Sequence, residues 1–255
     1  MLEKLMITIP ELTGSEERKL YIYTPDQEGP FPVLYMFDGQ NLFEDEEASF
    51  GKSWGLLSFL QEYEVPLMVV GAECNHHAED DPFGRLSEYS PFSFSDPHFG
   101  DITGRGEITM NWYVNTLKPY IDDNYPALPD RAHTFIGGSS MGGLMTLYAL
   151  CAYNKVYSRG AALSPSLNFC PEEVQALIRK TRFPRSTVLY MDCGEKEMPY
   201  EASRRNYADI CSLLIRKKVL LESRIVPSGV HNEASWEKQV PFFMDVLFYH
   251  LKGFY

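Results

Sequence analysis

Gly138-Ser139-Ser140-Met141-Gly142 fits G-x-S-x-G, a pattern whose central serine can serve as a nucleophile. A serine hydroxyl attacks poorly at neutral pH unless a base takes its proton and an acid orients that base. Six histidines are present, at positions 76, 77, 98, 133, 231 and 250. His231 follows the last strand-like run, in Pro227-Ser228-Gly229-Val230-His231-Asn232-Glu233. His133 precedes the strand leading to Ser140, which sends it to the opposite sheet end, and His250 falls in a closing helix. The segment Asp192-Cys193-Gly194-Glu195-Lys196-Glu197 can supply the acid, and spacing leaves Asp192 and Glu197 both open. A tetrahedral oxyanion needs two backbone N–H donors. Met141, directly after the serine, offers one. Gln40, in the turn Asp38-Gly39-Gln40-Asn41, offers the other. The pattern is that of acyl-transfer chemistry through a covalent intermediate.

Those residues work together only if strands and turns deliver them to one place. Thr134 to Ile136 is a short apolar run before the serine, and Leu144, Leu147, Tyr148 and Leu150 follow at helical spacing. A strand turning sharply into a helix leaves the serine hydroxyl clear of the sheet. Around this unit, strand-like and helix-like runs alternate, as in an α/β fold. Leu5–Ile9 and Lys19–Tyr23 read as an opening antiparallel hairpin. Pro32–Phe37 and Pro66–Gly71 read as strands buried on both faces, with a helix over Trp54–Tyr63 between them. Cys74 to Gly106 shows little periodicity and reads as a long loop over the site. Glu107–Asp123 reads as a helix kinked at Pro119. Beyond Ser140 come a strand over Gly160–Leu163, a helix over Pro171–Lys180 and a strand over Thr187–Met191. Ala202–Lys218 then reads as a helix, Leu220–Val226 as the last strand and Trp236–Leu251 as the closing helix. No linker or repeat appears, so residues 1–255 are expected to form one domain.

Composition narrows the classes of partner. A formal charge of −12 over 255 residues disfavours nucleic acid and anionic membranes, which both need a basic face. No secretory pattern and no apolar run of spanning length is seen, so the expected location is cytoplasmic. Five scattered cysteines without a C-x-x-C suit reduced thiols. Cys74-Asn75-His76-His77 with Glu79 and Asp80 invites a metal reading. Adjacent histidines rarely face one ion, however, and no second pair has zinc-like spacing. Neither a metal nor a cofactor is expected.

The chain resembles the putative esterase family of α/β-hydrolases, which includes enterochelin esterases, feruloyl esterases and esterase D. The resemblance rests on Tyr35–Phe43, Arg85-Leu86-Ser87-Glu88-Tyr89-Ser90-Pro91, Gly138–Gly143, Ser164-Pro165-Ser166, Asp192–Glu197 and Gly229–Trp236. It implies an α/β-hydrolase fold: a mostly parallel central sheet, an N-terminal antiparallel hairpin and helices on both faces. It implies Glu197 as the acid, three residues past the loop glycine where aspartate is more usual, and Gln40 and Met141 as oxyanion donors. Arg85 and Glu88 match a recurring segment near the site, either as substrate contacts or as a salt-linked pair holding the long loop. Trp236, Phe92, Phe94, Phe99 and Tyr200 are candidates for lining an acyl or aromatic-acid pocket. The implied activity is serine carboxylesterase, on a small-molecule ester that could be sugar- or siderophore-linked. Ser139, where esterase-D-like thioesterases carry histidine, weighs against a thioester. Acyl transfer with the same triad, or a binding module of weak turnover, are the alternatives. No surface pattern defines an oligomer.

Overall fold

The computed structural model describes residues 1–75, 82–251 and 253. Its strands are β1 Leu2–Thr8, β2 Glu17–Tyr23, β3 Val33–Met36, β4 Met68–Ala72, β5 Phe94–Asp96, β6 Gly100–Ile102, β7 Thr134–Ser139, β8 Arg159–Leu163, β9 Val188–Gly194 and β10 Leu220–Val226. Among the described residues, eight of them form one sheet in the order β1-β2-β4-β3-β7-β8-β9-β10. The six strands from β4 to β10 are parallel, while β1 and β2 run antiparallel at one edge. The helices are α1 Pro10–Thr13, α2 Leu56–Glu62, α3 Gly84–Glu88, α4 Gly106–Trp112, α5 Lys118–Asn124, α6 Met141–Ala152, α7 Pro171–Lys180, α8 Glu201–Arg216, α9 Glu233–Glu237 and α10 Val240–Phe248.

Alternation along the central strands explains the layers. Val33, Tyr35 and Phe37 enter one buried cluster with α4 to α8, while Leu34 and Met36 enter the other with α2, α9 and α10. The same alternation splits Leu189 and Met191 from Val188 and Tyr190. Successive side chains of a strand point to opposite faces, so an unbroken apolar run covers both. The mostly parallel sheet with helices on both faces is the expected α/β-hydrolase architecture.

Several local expectations change. Cys74 to Gly106 is not an unstructured loop, since it contains α3 and the β5–β6 hairpin. Elements of three to five residues are too short to leave a periodic signature. The expected break at Pro119 becomes a π turn over Tyr113–Leu117 that joins α4 to α5. Widening the turn there accommodates a proline that cannot donate back to the preceding turn. The expected closing helix divides into α9 and α10 because Pro241, in the first turn of α10, cannot continue α9 but suits a helix start. His250 lies just beyond α10. His76, His77, Glu79 and Asp80 lie outside the described residues. Among the described residues, no His, Cys, Asp and Glu group could hold a metal ion, and no helix is long and apolar enough to cross a membrane.

One close approach at the carboxyl end of the sheet sets the path of the loop after β3. A Cβ on Gly39 would lie within 2.5 Å of the Gly71 carbonyl carbon and 2.9 Å of the Ala72 carbonyl carbon. Backbone cannot yield as a side chain can, so Gly39→Ala should cost about 1–3 kcal/mol. Urea unfolding of Gly39→Ala beside the parent chain checks this, and an unchanged midpoint would contradict it.

Candidate active site

Ser140 lies between β7 and α6 with φ 58° and ψ −121°, a conformation that L-residues seldom adopt. Its neighbours hold it there. The Ser140 N–H donates to the Leu163 carbonyl at 3.0 Å, and the Ser166 N–H donates to the Ser140 carbonyl at 3.0 Å. The Ser140 and Ser166 hydroxyls are 3.3 Å apart. Strained backbone persists only where its surroundings over-determine it, and here the end of β8 supplies that constraint.

His231 follows β10, and Glu197 ends the 3-10 turn Glu195–Glu197 that follows β9. Glycine brings the two loops together. A Cβ on Gly194 would lie 2.5 Å from the Gly229 carbonyl oxygen, and the Lys196 N–H donates to that same carbonyl at 3.1 Å. His231 Nδ1 is 2.5 Å from Glu197 Oε2. Glu197 Oε1 accepts from the Gly194 N–H at 2.8 Å and from the Ser164 hydroxyl at 2.7 Å. The tight turn folds the longer side chain back over its own loop, so that one oxygen caps the turn and the other reaches His231. Burial alone would raise the Glu197 pKa, but hydrogen bonds from His231, Ser164 and Gly194 together hold it below its ordinary value.

Asp192 sits elsewhere. It lies within β9, accepts from the Tyr190 hydroxyl at 2.9 Å and from the Ser164 N–H at 3.0 Å, and is buried away from His231. Burial pushes its pKa up to about 7 against those two hydrogen bonds, with the Glu197 charge adding to the rise.

Ser164 links the two carboxylates, and its own φ is 42°. Its hydroxyl also accepts from Trp236 Nε1 at 3.0 Å. The residues themselves gave no role to Ser164. The signal available was its position at the end of β8, in Ser164-Pro165-Ser166.

The two prospective N–H donors lie at the ends of β3 and β7. Met141 opens α6, where first-turn N–H groups lack helical partners and the helix dipole favours negative charge. Gln40 lies in the short turn Gly39–Asn41, which Asp38 enters in the left-handed region. Asp38 is gripped by Arg85 through a fork, Nε to Oδ1 at 2.6 Å and Nη2 to Oδ2 at 2.7 Å. The Tyr89 hydroxyl accepts from the Asp38 N–H at 3.2 Å.

A cavity of about 650 Å³ opens beside Ser140, Met141, Glu197 and His231. Leu86, Phe99, Phe169 and Met198 make its walls apolar, with Asn168 and Lys196 among its polar groups. Tyr200 lines it too. Other expected lining residues do not. Glu88 is buried and pairs with Arg18, whose Nη1 lies 2.8 Å from both carboxylate oxygens. Arg85 clamps Asp38, so Arg85 and Glu88 are not paired with each other. Trp236 is buried behind the site, edge-on to the His231 ring with centroids 5.1 Å apart. Phe94 stacks behind Phe169, and Phe92 packs against Tyr148.

The sequence matches the family described as "Putative esterase" over residues 13–247. The uncharacterized protein YbbA of Bacillus subtilis (strain 168) is 26% identical over 191 residues, covering 72% of this chain and 70% of YbbA. The BES protein from Bacillus cereus has a similar structure, with a TM-score of 0.74 at 19% identity over 96% of this chain and 94% of that one. The enterobactin and salmochelin hydrolase IroE gives a TM-score of 0.68 at 18% identity, again over 96% and 94%. Identities this low carry the fold alone, whereas the family match runs through nearly the whole sequence. By that match, the chain belongs to the putative esterase family, and it has the fold of the α/β-hydrolases.

Proposed function

We propose that the chain is a serine carboxylesterase that cleaves a small acyl or aromatic-acid ester through an acyl-enzyme. The observation that carries this reading is that Ser140, on its strained turn, and His231, bonded to Glu197, border one cavity. Ser140 Oγ attacks the ester carbonyl carbon while His231 Nε2 takes its proton. Glu197 holds the imidazole by Nδ1 and stabilises the imidazolium that forms. The carbonyl oxygen becomes an oxyanion and accepts from the Gln40 and Met141 N–H groups. Collapse breaks the C–O bond to the alcohol, which leaves with the proton from His231. Water then attacks the acyl-enzyme and passes a proton to His231. Collapse breaks the bond between Ser140 Oγ and the acyl carbon as His231 returns that proton to Oγ, releasing the acid and free Ser140. The Ser140 hydroxyl rests against that of Ser166, and the mechanism requires substrate to bring Ser140 Oγ within hydrogen-bonding reach of His231 Nε2. The apolar wall of Leu86, Phe99 and Phe169 suits an aromatic or short aliphatic acyl group. IroE, by its description a hydrolase of enterobactin and salmochelin, makes siderophore-linked esters reasonable substrates to include.

Release of p-nitrophenol from esters of increasing acyl length tests the nucleophile. Ser140→Ala should lower kcat by roughly 10⁴-fold or more, and turnover unchanged by the substitution would remove Ser140 from the mechanism.

The two carboxylates give opposite predictions in the same assay. Glu197→Gln should reduce kcat by roughly 10³- to 10⁴-fold, by analogy with amide replacement of a triad acid. Asp192→Asn should keep most of the activity, and the reverse ranking would transfer the acid role to Asp192.

Asp192 also predicts a pH dependence of stability. Its folded pKa, raised to about 7, means that the folded chain holds this proton more tightly than the unfolded one. The associated stability is present at low pH and lost as pH rises through the folded value. Asp192→Asn should therefore gain stability over the parent chain between about pH 4 and 7, then level off. Melting temperatures at pH 5 and pH 8 check the sign, and a gain confined to pH 5 would refute it.

A further inference from the structure

β10 closes one side of the sheet, and among the described residues no strand pairs with its outer edge. Its ladder with β9 runs unbroken from Leu220 to Val226. The edge carries no proline and no bulge, and its two charges, Glu222 and Arg224, are of opposite sign. Apolar side chains crowd it. Leu220 and Ile225 are 49% and 50% exposed, and Ile215, Phe242 and Tyr249, on the flanking segments, are also exposed.

The sequence of this strand is complementary to its own reverse. Leu220-Leu221-Glu222-Ser223-Arg224-Ile225-Val226 has Ser223 at its midpoint. Aligned antiparallel with a second copy about that point, Glu222 faces Arg224, Leu221 faces Ile225 and Leu220 faces Val226. Each match occurs twice, as two-fold symmetry requires. The opposite edge of the sheet has no such property. About the midpoint of β1, Leu5, Lys4 would face Met6 and Glu3 would face Ile7.

Backbone geometry agrees with the same register. The Leu220 N–H donates inward to the Thr187 carbonyl. In a parallel ladder the backbone groups of alternate residues turn to opposite neighbours. Leu220, Glu222 and Arg224 therefore bond toward β9, and Leu221, Ser223 and Ile225 present N–H and C=O to the open edge. Pairing Ser223 with Ser223 and Leu221 with Ile225 matches outward groups with outward groups. The charged matches then fall at the non-hydrogen-bonded positions, where side chains approach most closely.

The faces agree as well. Leu221 packs toward the α8 layer, and Arg224 lies over the Phe242 ring of α10, 3.6 Å from its centroid. Opposed residues in an antiparallel pair share a face, and a two-fold axis normal to the sheet keeps the α8 layer of one copy beside that of the other. The charges accordingly gather on the α10 face. We propose that the chain forms a two-fold dimer through antiparallel pairing of β10 with β10 of a second copy, centred on Ser223. The two sheets become one, and their carboxyl ends open in opposite directions, leaving each Ser140 cavity unobstructed.

Sedimentation equilibrium of the full chain, with Glu222→Arg, Arg224→Glu and the double exchange, tests this. The parent chain should sediment at twice its 29.2 kDa mass. Either single substitution places like charges opposite one another at two symmetry-related places, and should weaken association at least ~10-fold. The double exchange restores opposite charges and should restore the dimer, although it loses the Arg224–Phe242 contact just as Arg224→Glu does. Glu222 and Arg224 also lie 4.0 Å apart within one strand. The melting temperature of each variant is therefore measured beside its mass, and only a loss of association without a loss of melting temperature counts as an interface effect. A parent chain that is monomeric at 100-fold above about 1 µM, single variants that associate as tightly as the parent, or a double exchange that fails to recover would each overturn the proposal.

Discussion

The carboxylate of Glu197 is the point on which the architecture of the site converges. Burying a carboxylate is costly unless its oxygens are supplied with donors. Here three come from three separate segments: the Ser164 hydroxyl after β8, the Gly194 N–H at the end of β9 and His231 after β10. β8, β9 and β10 are consecutive neighbours in the sheet, and being parallel they release these segments at the same end. An antiparallel strand anywhere in that trio would have sent one donor to the far edge. The strand order is thus the condition for satisfying one charge.

The other half of the site obeys the same logic across β3, β7 and β8. β7 delivers Ser140, β8 fixes its backbone through Leu163 and Ser166, and β3, the neighbour of β7 on its other side, ends in the turn that holds Gln40. The turn holding Gln40 has almost no regular structure of its own, so side chains brace it. Arg85 and Tyr89 both come from the segment between β4 and α4, and both act on Asp38. A bidentate guanidinium–carboxylate pair imposes geometry as well as attraction. That is what a preorganised pair of N–H donors would require on the proposed mechanism.

How much of this was legible in the sequence depends on whether a residue's neighbours are local. The central strands were readable because an unbroken apolar run reflects burial on two faces, as Pro32 to Phe37 illustrates. The strand-to-helix turn at Ser140 was readable because its glycines and flanking patterns lie within a dozen residues. Glu197 could be separated from Asp192 only through family resemblance, since both are acids beside a glycine. Arg85 and Glu88 were expected either as substrate contacts or as a salt-linked pair holding the long loop. Each instead found a partner dozens of residues away, Asp38 and Arg18, which no local pattern encodes. Trp236 was misread for a similar reason. Aromatic residues commonly wall a small-molecule pocket, but this indole N–H donates to Ser164 behind the site.

Ser164 explains why two carboxylates can coexist here without competing for one role. Its N–H donates to Asp192 and its hydroxyl donates to Glu197, so a single residue with left-handed backbone holds both acids at fixed positions. The burial of Asp192, together with the neighbouring Glu197 charge, raises its pKa, whereas the donors around Glu197 lower its own. Environments that push two similar groups apart in this way assign them different work. On the proposed mechanism, Glu197 carries the charge that His231 needs. Asp192, reluctant to ionise, stays an acceptor that positions Ser164. Were Asp192 as acidic as Glu197, two buried negative charges would share one serine.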